Sequence, residues 1–223
     1  GDAEVAIPFD IVRKEGKHVM YNSQDGHGMR VVARTESDDF INWDLPSQLV
    51  FKSDDEDPPG TEMGGLCAIS YDGYYIGMLY VIHNLGGIKA DEWKSIVKKN
   101  KQQGFFGYPI EMNKNRCREM TTELVTSSDG INWVRTNRKP IIPFGPEGSW
   151  DEAILLPGRP IVANNQIYIY YTGVGRTAQT PGINKPQKIG KWNVDTGLAT
   201  LRLDGFVSLD SGPEKAVLIS KEF

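Results

Sequence analysis

Ser37-Asp38-Asp39-Phe40-Ile41-Asn42-Trp43 returns downstream as Ser127-Ser128-Asp129-Gly130-Ile131-Asn132-Trp133, and a looser echo follows at Asp204-Gly205-Phe206-Val207-Ser208. Strand-like runs flank every copy: Val31–Thr35 precedes the first, Glu123–Thr126 the second and Leu198–Leu203 the third. An Asp-Gly step between two such runs is a strong hairpin signal, because glycine accepts the positive φ that the turn demands. Recurrence at a wide period marks one supersecondary unit used repeatedly. Equivalent places in successive units then carry the functional information.

The first unit reads as four short strands, Val5–Phe9, His18–Asn22, Met29–Thr35 and Gln48–Phe51. The second reads Gly65–Ser70, Tyr74–His83, Thr122–Thr126 and Pro140–Ile142, and the third Ala153–Leu156 extending to Val162, Gln166–Tyr171, Leu198–Leu203 and Ala216–Ile219. Turns between first and second strands match as well: Arg13-Lys14-Glu15-Gly16, Asp72-Gly73 and Ala163-Asn164-Asn165. Four antiparallel strands per unit, repeated along the chain, describe a β-propeller blade; a sandwich or jelly roll also uses short strands but does not require a recurring turn phrase. The expected fold is all-β, about three blades at 1–57, 58–143 and 144–212, with 213–223 opening a further strand or sandwich segment. Propellers have at least four blades. Three units therefore predict an incomplete ring: a fragment, or a piece that associates, with a homo-oligomer through open blade edges as one outcome.

One short helix is expected over Ala90–Gln103, with Trp93, Ile96 and Val97 on one side and Lys94, Lys98, Lys99 and Lys101 largely on the other. Its basic run reads as a solvated face. The helix lies in a long insertion between the second and third strands of unit two, and unit three carries a shorter one over about 173–195. Long loops inside compact domains are usually functional or disordered.

Composition narrows the partners. The 223 residues suffice for one substantial core. A net charge of -4 offers nucleic acid no basic surface. No apolar run reaches the length that crosses a bilayer, so no membrane partner is expected. The sequence opens with Gly1 rather than Met, the mark of a processing or cloning scar, so an export signal could already have been removed. Cys67 and Cys117 are too few for a disulfide framework. Cys67, in the apolar run Gly65–Ile69, reads as a packed thiol, and spacing alone gives no geometry for a bridge between the two.

The first strand of a blade starts near the propeller axis on one face, and the loop from second to third strand opens on that same face. Residues just before each first strand therefore converge, and the second-to-third loops ring the mouth above them. Here the converging segments are Asp2-Ala3-Glu4, Thr61-Glu62-Met63 and Trp150-Asp151-Glu152, all acidic at the same phase of the repeat. Glycosidic cleavage needs such a set: one protonated carboxyl to help the leaving oxygen depart, one ionised to activate water or attack. A third can hold their pKa values apart. The plain alternative is that loop acids simply face solvent. His27, His83, Tyr108 and Arg176 are the mouth residues able to hydrogen-bond or stack on sugar, with Trp150 beside the third carboxylate. His18 lies inside a strand and reads as structural. Trp43 and Trp133 read as hairpin caps on the opposite side. Neither metal-ligand spacing nor a phosphate loop is present, so no metal and no cofactor is expected.

The runs Asp2–Tyr21, Gly26-His27-Gly28 through Trp43, Pro58-Pro59-Gly60-Thr61-Glu62 and Gly145-Pro146-Glu147-Gly148-Ser149-Trp150-Asp151 resemble uncharacterised bacterial glycosidase-like proteins, similar to the five-bladed propellers of glycoside hydrolase families 43, 32 and 130. The stretch Leu198–Leu209 resembles the end of that propeller, after which longer relatives carry a β-sandwich that Lys215–Phe223 would begin. The resemblance implies three acids on the inner ends of different blades, serving as base or nucleophile, pKa modulator or stabiliser, and acid. They fall on Asp2, Glu62 and Asp151, with Glu152 an alternate for the last; absent early blades would put Asp2 at another position of the pattern. It implies an oligosaccharide or glycan substrate, a periplasmic or secreted location, and inversion or retention according to whether family 43 or family 32 is the nearer guide. Propellers of this kind sometimes hold an axial calcium, for which the chain shows no dedicated loop. Two rival expectations stand beside the glycosidase: a non-catalytic carbohydrate-binding or scaffold propeller, and an inactive fragment of a larger enzyme.

Overall fold

The computed structural model describes residues 7–25, 29–57, 60–83, 119–146, 148–175 and 194–207. Over these residues the chain is all-β. Strands β1 (Ile7–Lys14), β2 (Lys17–Asp25), β3 (Arg30–Ser37) and β4 (Gln48–Phe51) form an antiparallel sheet in sequence order. The pattern repeats in β5 (Thr61–Tyr71), β6 (Tyr74–His83), β7 (Glu119–Ser127) and β8 (Trp133–Pro140). In the third unit β9 (Ile154–Pro157) and β10 (Ile161–Ala163) both pair with β11 (Gln166–Val174), so together they act as one interrupted first strand; β12 (Val194–Arg202) takes the other side. These are three consecutive blades of a β-propeller. A parallel bridge between Met120 and Ile154 joins the second and third into one curled sheet. The helix expected over 90–103, the strand at 216–219, the segment 213–223 and Cys117 lie outside the described residues.

One expected strand moves. The fourth strand of the second blade starts at Trp133, not at Pro140, because the Trp133 ring is drawn inward against Tyr21, Phe51 and Tyr75 at centroid distances of 5.7, 6.3 and 6.4 Å. Trp133 is thus part of the core between two blades and not merely a hairpin cap. Trp43, at the matching place, lies half-buried beside Phe40, ring centroids 5.8 Å apart.

Burial on both faces explains the apolar runs. Successive residues of a strand point to opposite faces. In β6, Leu79 and Val81 enter one core with Val12, Val19, Tyr21, Val32 and Phe51 of the first blade. Ile76, Met78 and Tyr80 enter a second core with Leu155, Ile167 and Ile169 of the third. Cys67, a free buried thiol, belongs to that second core. The inner strands β5 and β6 of the middle blade have no wet face, so they read as continuous hydrophobic runs rather than as an alternation, whereas the outer strand β8 is largely exposed.

The recurring phrase folds identically in its first two copies. Asp39 Oδ1 accepts the N–H groups of Ile41 and Asn42 at 2.9 and 2.7 Å, and its Oδ2 accepts from Asn42 Nδ2 at 2.6 Å. Asp129 repeats this with Ile131 and Asn132 at 2.8 and 2.7 Å, and with Asn132 Nδ2 at 2.7 Å. The donors, the backbone of Asn42 and Asn132 foremost, hold both carboxyls well below the usual carboxylate range. The turn is built by an Asp side chain. Glycine supplies the left-handed residue in the second copy alone: Gly130 has φ 71°, whereas Phe40 takes 67° and Asp204 takes 58°.

The second and third copies also grip the preceding blade. Tyr21 donates to the Gly130 carbonyl at 2.8 Å, and Lys14 donates to the Asp129 carbonyl. Tyr71 donates to Asp204 Oδ1 at 2.7 Å and meets Phe206 edge-on at 5.3 Å. Lys14 and Tyr71 are equivalent, each closing the first strand of its blade. A Cβ at Gly130 would stand 3.1 Å from the Tyr21 hydroxyl. Gly130→Ala is therefore expected to cost about 1–2 kcal/mol through the left-handed backbone alone, with a further loss at Tyr21. An unchanged urea midpoint would refute this account of the turn.

Candidate active site

Strand directions decide which acids share an end of the fold. β5 runs antiparallel to β6 and β6 to β7, while β7 is parallel to β9. The first strands of the second and third blades therefore start at the same end. One ladder row crosses that end, Glu62–Ile82–Met120–Ile154, and Met120 N–H donates to the Ala153 carbonyl at 3.0 Å. Glu62, His83, Trp150, Asp151 and Glu152 all lie on or beside that row. Glu62 is buried in β5 and shares its face with Cys67 and Ile69, the face turned to the third blade. Three strand spacings, about 14 Å, separate the backbones at its two ends.

Asp151 is the most closely fitted of these groups. Its Oδ1 accepts from the Ser149 hydroxyl at 2.7 Å and its Oδ2 from the Tyr171 hydroxyl at 3.3 Å. The Asp151 carboxylate lies against Gly145, where any side chain would collide with it. At Gly173 a Cβ would come within 2.5 Å of the Trp150 ring and 2.7 Å of Asp151 Cβ. These two glycines leave space for one placement of the Trp150-Asp151 pair. Trp150 stacks on Tyr171, centroids 5.6 Å apart and planes 18° apart. Burial, then the neighbouring Asp151 charge, pushes the Tyr171 hydroxyl above its ordinary pKa, so it stays a donor. Glu152 is buried and turns back into its own loop, accepting the Gly148 N–H at 2.6 Å. Tyr171 is a partner that sequence reading did not single out; its signal was a Tyr-Tyr pair at the end of a second strand.

His83 faces the other way. It pairs with Thr61 in the ladder, on the sheet face opposite Glu62, and its Nε2 lies 2.9 Å from Thr121 Oγ1. Nearby on that side is a buried ionic cluster that sequence reading also missed. Arg135 forks onto Glu123 with two bonds of 2.8 Å and reaches Asp57 at 2.7 Å, all three side chains 6% exposed or less. It pins the segment linking the first and second blades. Asp10 likewise joins three blades, accepting the Ala68 N–H at 2.8 Å and pairing with Arg159. Among the described residues no cluster of His, Cys, Asp or Glu could hold a metal. Asp2, His27, Tyr108 and Arg176 lie outside the described residues.

Two outcomes follow from these charges. Arg135→Leu takes the buried Glu123 carboxylate's guanidinium away, while Asp57 keeps Arg138 and the Asp54 N–H, and is expected to cost about 3–5 kcal/mol in urea unfolding; a loss below 1 kcal/mol would show the cluster to be dispensable. Burial foremost holds His83 below its ordinary 6.5, against Glu123 and Asp57, which pull it up, and with Arg135, which adds to the lowering. The unfolded chain then binds the proton first, so stability falls as pH drops below about 6.5 towards the folded value. His83→Asn should flatten that slope between pH 7 and 5, and an identical slope in both proteins would contradict the assignment.

No family model matches the chain, and no curated protein matches it significantly. Solved structures do. A family 117 glycoside hydrolase of Zobellia galactanivorans superposes with a TM-score of 0.59 at 15% identity, covering 88% of this chain and 52% of that one. An N-acetylgalactosamine deacetylase from F. plautii, in complex with blood group B trisaccharide, gives 0.56 at 16% identity, covering 89% and 50%. A β-1,2-mannobiose phosphorylase from Listeria innocua gives 0.51 at 14% identity, covering 89% and 41%. The chain spans about half the length of the first two. At such identities the likeness is one of fold, and the fold is the β-propeller.

Proposed function

We propose that this propeller binds a glycan and hydrolyses one of its glycosidic bonds, with Glu62 and Asp151 as the working carboxylates. The observation that carries the reading is the shared end of β5 and β9, where Glu62 faces the third blade and Asp151 stands beside the stacked Trp150–Tyr171 pair. A ring pair flush with a fixed carboxylate suits a sugar, whose apolar face can lie on an aromatic plate while its hydroxyls reach the acid. Asp151, whose oxygens both accept hydroxyl hydrogen bonds, takes the part of the group that activates water or attacks, in place of the acid's part that the resemblance implies. Glu62, rooted in a buried strand, takes the proton donor's part. The structural relatives support a sugar as ligand: one was solved with a trisaccharide and another with mannobiose. Their names cover hydrolase, deacetylase and phosphorylase, so the fold by itself leaves the reaction open.

The test is turnover of aryl glycosides and natural oligosaccharides by the chain and its Glu62→Gln and Asp151→Asn variants. Each variant is expected to lose roughly 10²–10⁴-fold on natural substrates. On a dinitrophenyl glycoside, whose leaving group needs no proton, Glu62→Gln should keep its rate and Asp151→Asn should not. Equal activity in all three proteins overturns the assignment. The second reading is a glycan-binding propeller without turnover, favoured by the same aromatic pair. Calorimetric binding that vanishes in Trp150→Ala, with no hydrolysis by any form, would establish it instead.

A further inference from the structure

Strand register brings one more carboxylate to the candidate site. β12 starts at the end where β11 finishes, so its first residues reach the row that holds Trp150 and Asp151. Ala199 and Leu201 pair with Ile169 and Ile167 and share their core, on the face turned to the second blade. Alternate residues of a strand share a face. Asp195 therefore lies on that same face, one step beyond Gly197 and directly opposite Gly173. It is exposed, and its Oδ1 accepts the Thr196 N–H at 2.8 Å.

The two positions beside it are bare. A Cβ at Gly197 would come within 2.3 Å of the Tyr171 ring and 2.6 Å of its hydroxyl, so that ring lies on the Gly197 backbone. At Gly173 the six-membered ring of Trp150 takes the corresponding space, with Asp151 Cβ 2.7 Å from where a Gly173 Cβ would stand. Cross-strand partners hold their Cβ atoms about 5 Å apart, which puts the Cβ atoms of Asp195 and Asp151 within about 8 Å of each other. β11 runs between β9 and β12, so the two stacked rings are flanked by Asp151 on the β9 side and by Asp195 on the β12 side. That spacing suits one sugar ring with a hydroxyl at each edge.

We infer that Asp195 is a substrate-binding residue of this site and that it selects neutral or amino sugars over acidic ones. The inference rests on the glycan reading given above. A carboxylate is an acceptor with about four lone-pair sites, of which the Thr196 N–H takes one. Asp195 accepts hydroxyl hydrogen bonds at the edge of the sugar remote from Asp151, and bonds to a charged acceptor are the stronger kind. A uronic or sialic carboxylate at the same place would meet Asp151 and Asp195 together. Like charges so placed reject a ligand.

The test is a printed array of neutral, amino, uronic-acid and sialic-acid glycans. It is probed with the chain, with Asp195→Ala and Asp195→Asn, and with Asp38→Asn in the first turn phrase as a control for net charge. The chain is expected to bind neutral or amino glycans. Asp195→Ala should bind the same glycans roughly tenfold to a hundredfold more weakly by calorimetry. Asp195→Asn should admit acidic glycans that the chain refuses, and Asp38→Asn should match the chain. Binding that is lost in Trp150→Ala yet equal in the chain and Asp195→Ala overturns the inference and leaves the glycan site standing. A chain that prefers acidic glycans overturns it too. A chain that binds no glycan overturns both the inference and the reading on which it rests. Circular dichroism checks that each variant keeps its fold.

Discussion

The rest of the structure depends on the requirement that the inner strands of a middle blade be dry on both faces. β6 meets it residue by residue, with Leu79 and Val81 given to one core and Met78 and Tyr80 to the other. A strand so placed has no position for a polar side chain unless a partner is built for it. Polar chemistry is therefore pushed to the strand ends or held in closed sets. Arg135, Glu123 and Asp57 make one such set, and Asp10 with Ala68 and Arg159 another. Both sets tie separate blades together, so the few buried charges fix the relative placement of sheets whose apolar contacts would tolerate sliding. Isolated buried ion pairs add little net stability. Their value here is geometric.

The same requirement gives the propeller two unlike ends. β5 begins at Thr61, next to Glu62, and finishes at Tyr71; the first end holds the candidate acids, and the second meets the turn phrase of the next blade through Asp204. At the phrase end the carboxylates of Asp39 and Asp129 are consumed by their own turns and by neighbouring backbone. At the other end, the Asp151 carboxylate takes its contacts from two hydroxyls, Ser149 and Tyr171. Acidic residues recur at both ends and differ in their donors, backbone N–H groups for Asp39 and Asp129 and hydroxyls for Asp151.

Much of the fold was legible because its signals are local. The recurring Asp phrase, the matched first hairpins and the short strands lie within single stretches of sequence, and they led directly to blades. What stayed hidden is of longer range or carried by side chains. Phe40 at a left-handed position could not be foreseen from an Asp-Gly rule, because the Asp39 carboxylate and not a glycine organises that turn. Trp133 reads like Trp43 in sequence, yet it packs on Tyr21 and Phe51 from a blade far upstream. Phase along the repeat brought Glu62 and Asp151 to one end, but it could not show that Glu152 bonds within its own loop, that His83 lies on the other face, or that Tyr171 completes the Asp151 setting.

Repetition also constrains how such a site can change. Because Asp151 is seated between Gly145 and Gly173 and braced by Tyr171, its placement belongs to the third blade alone. Glu62 belongs to the second, and the parallel bridge from Met120 to Ile154, with the hydrogen bond from Met120 to Ala153 beside it, registers the two. The two acids are thus carried by blades whose relative placement is held by the packing of Leu155, Ile167 and Ile169 with Ile76 and Met78. A methylene added or removed in that core would move one acid relative to the other while leaving both side chains intact. In this propeller the hydrophobic junction between blades is part of the geometry of the candidate site.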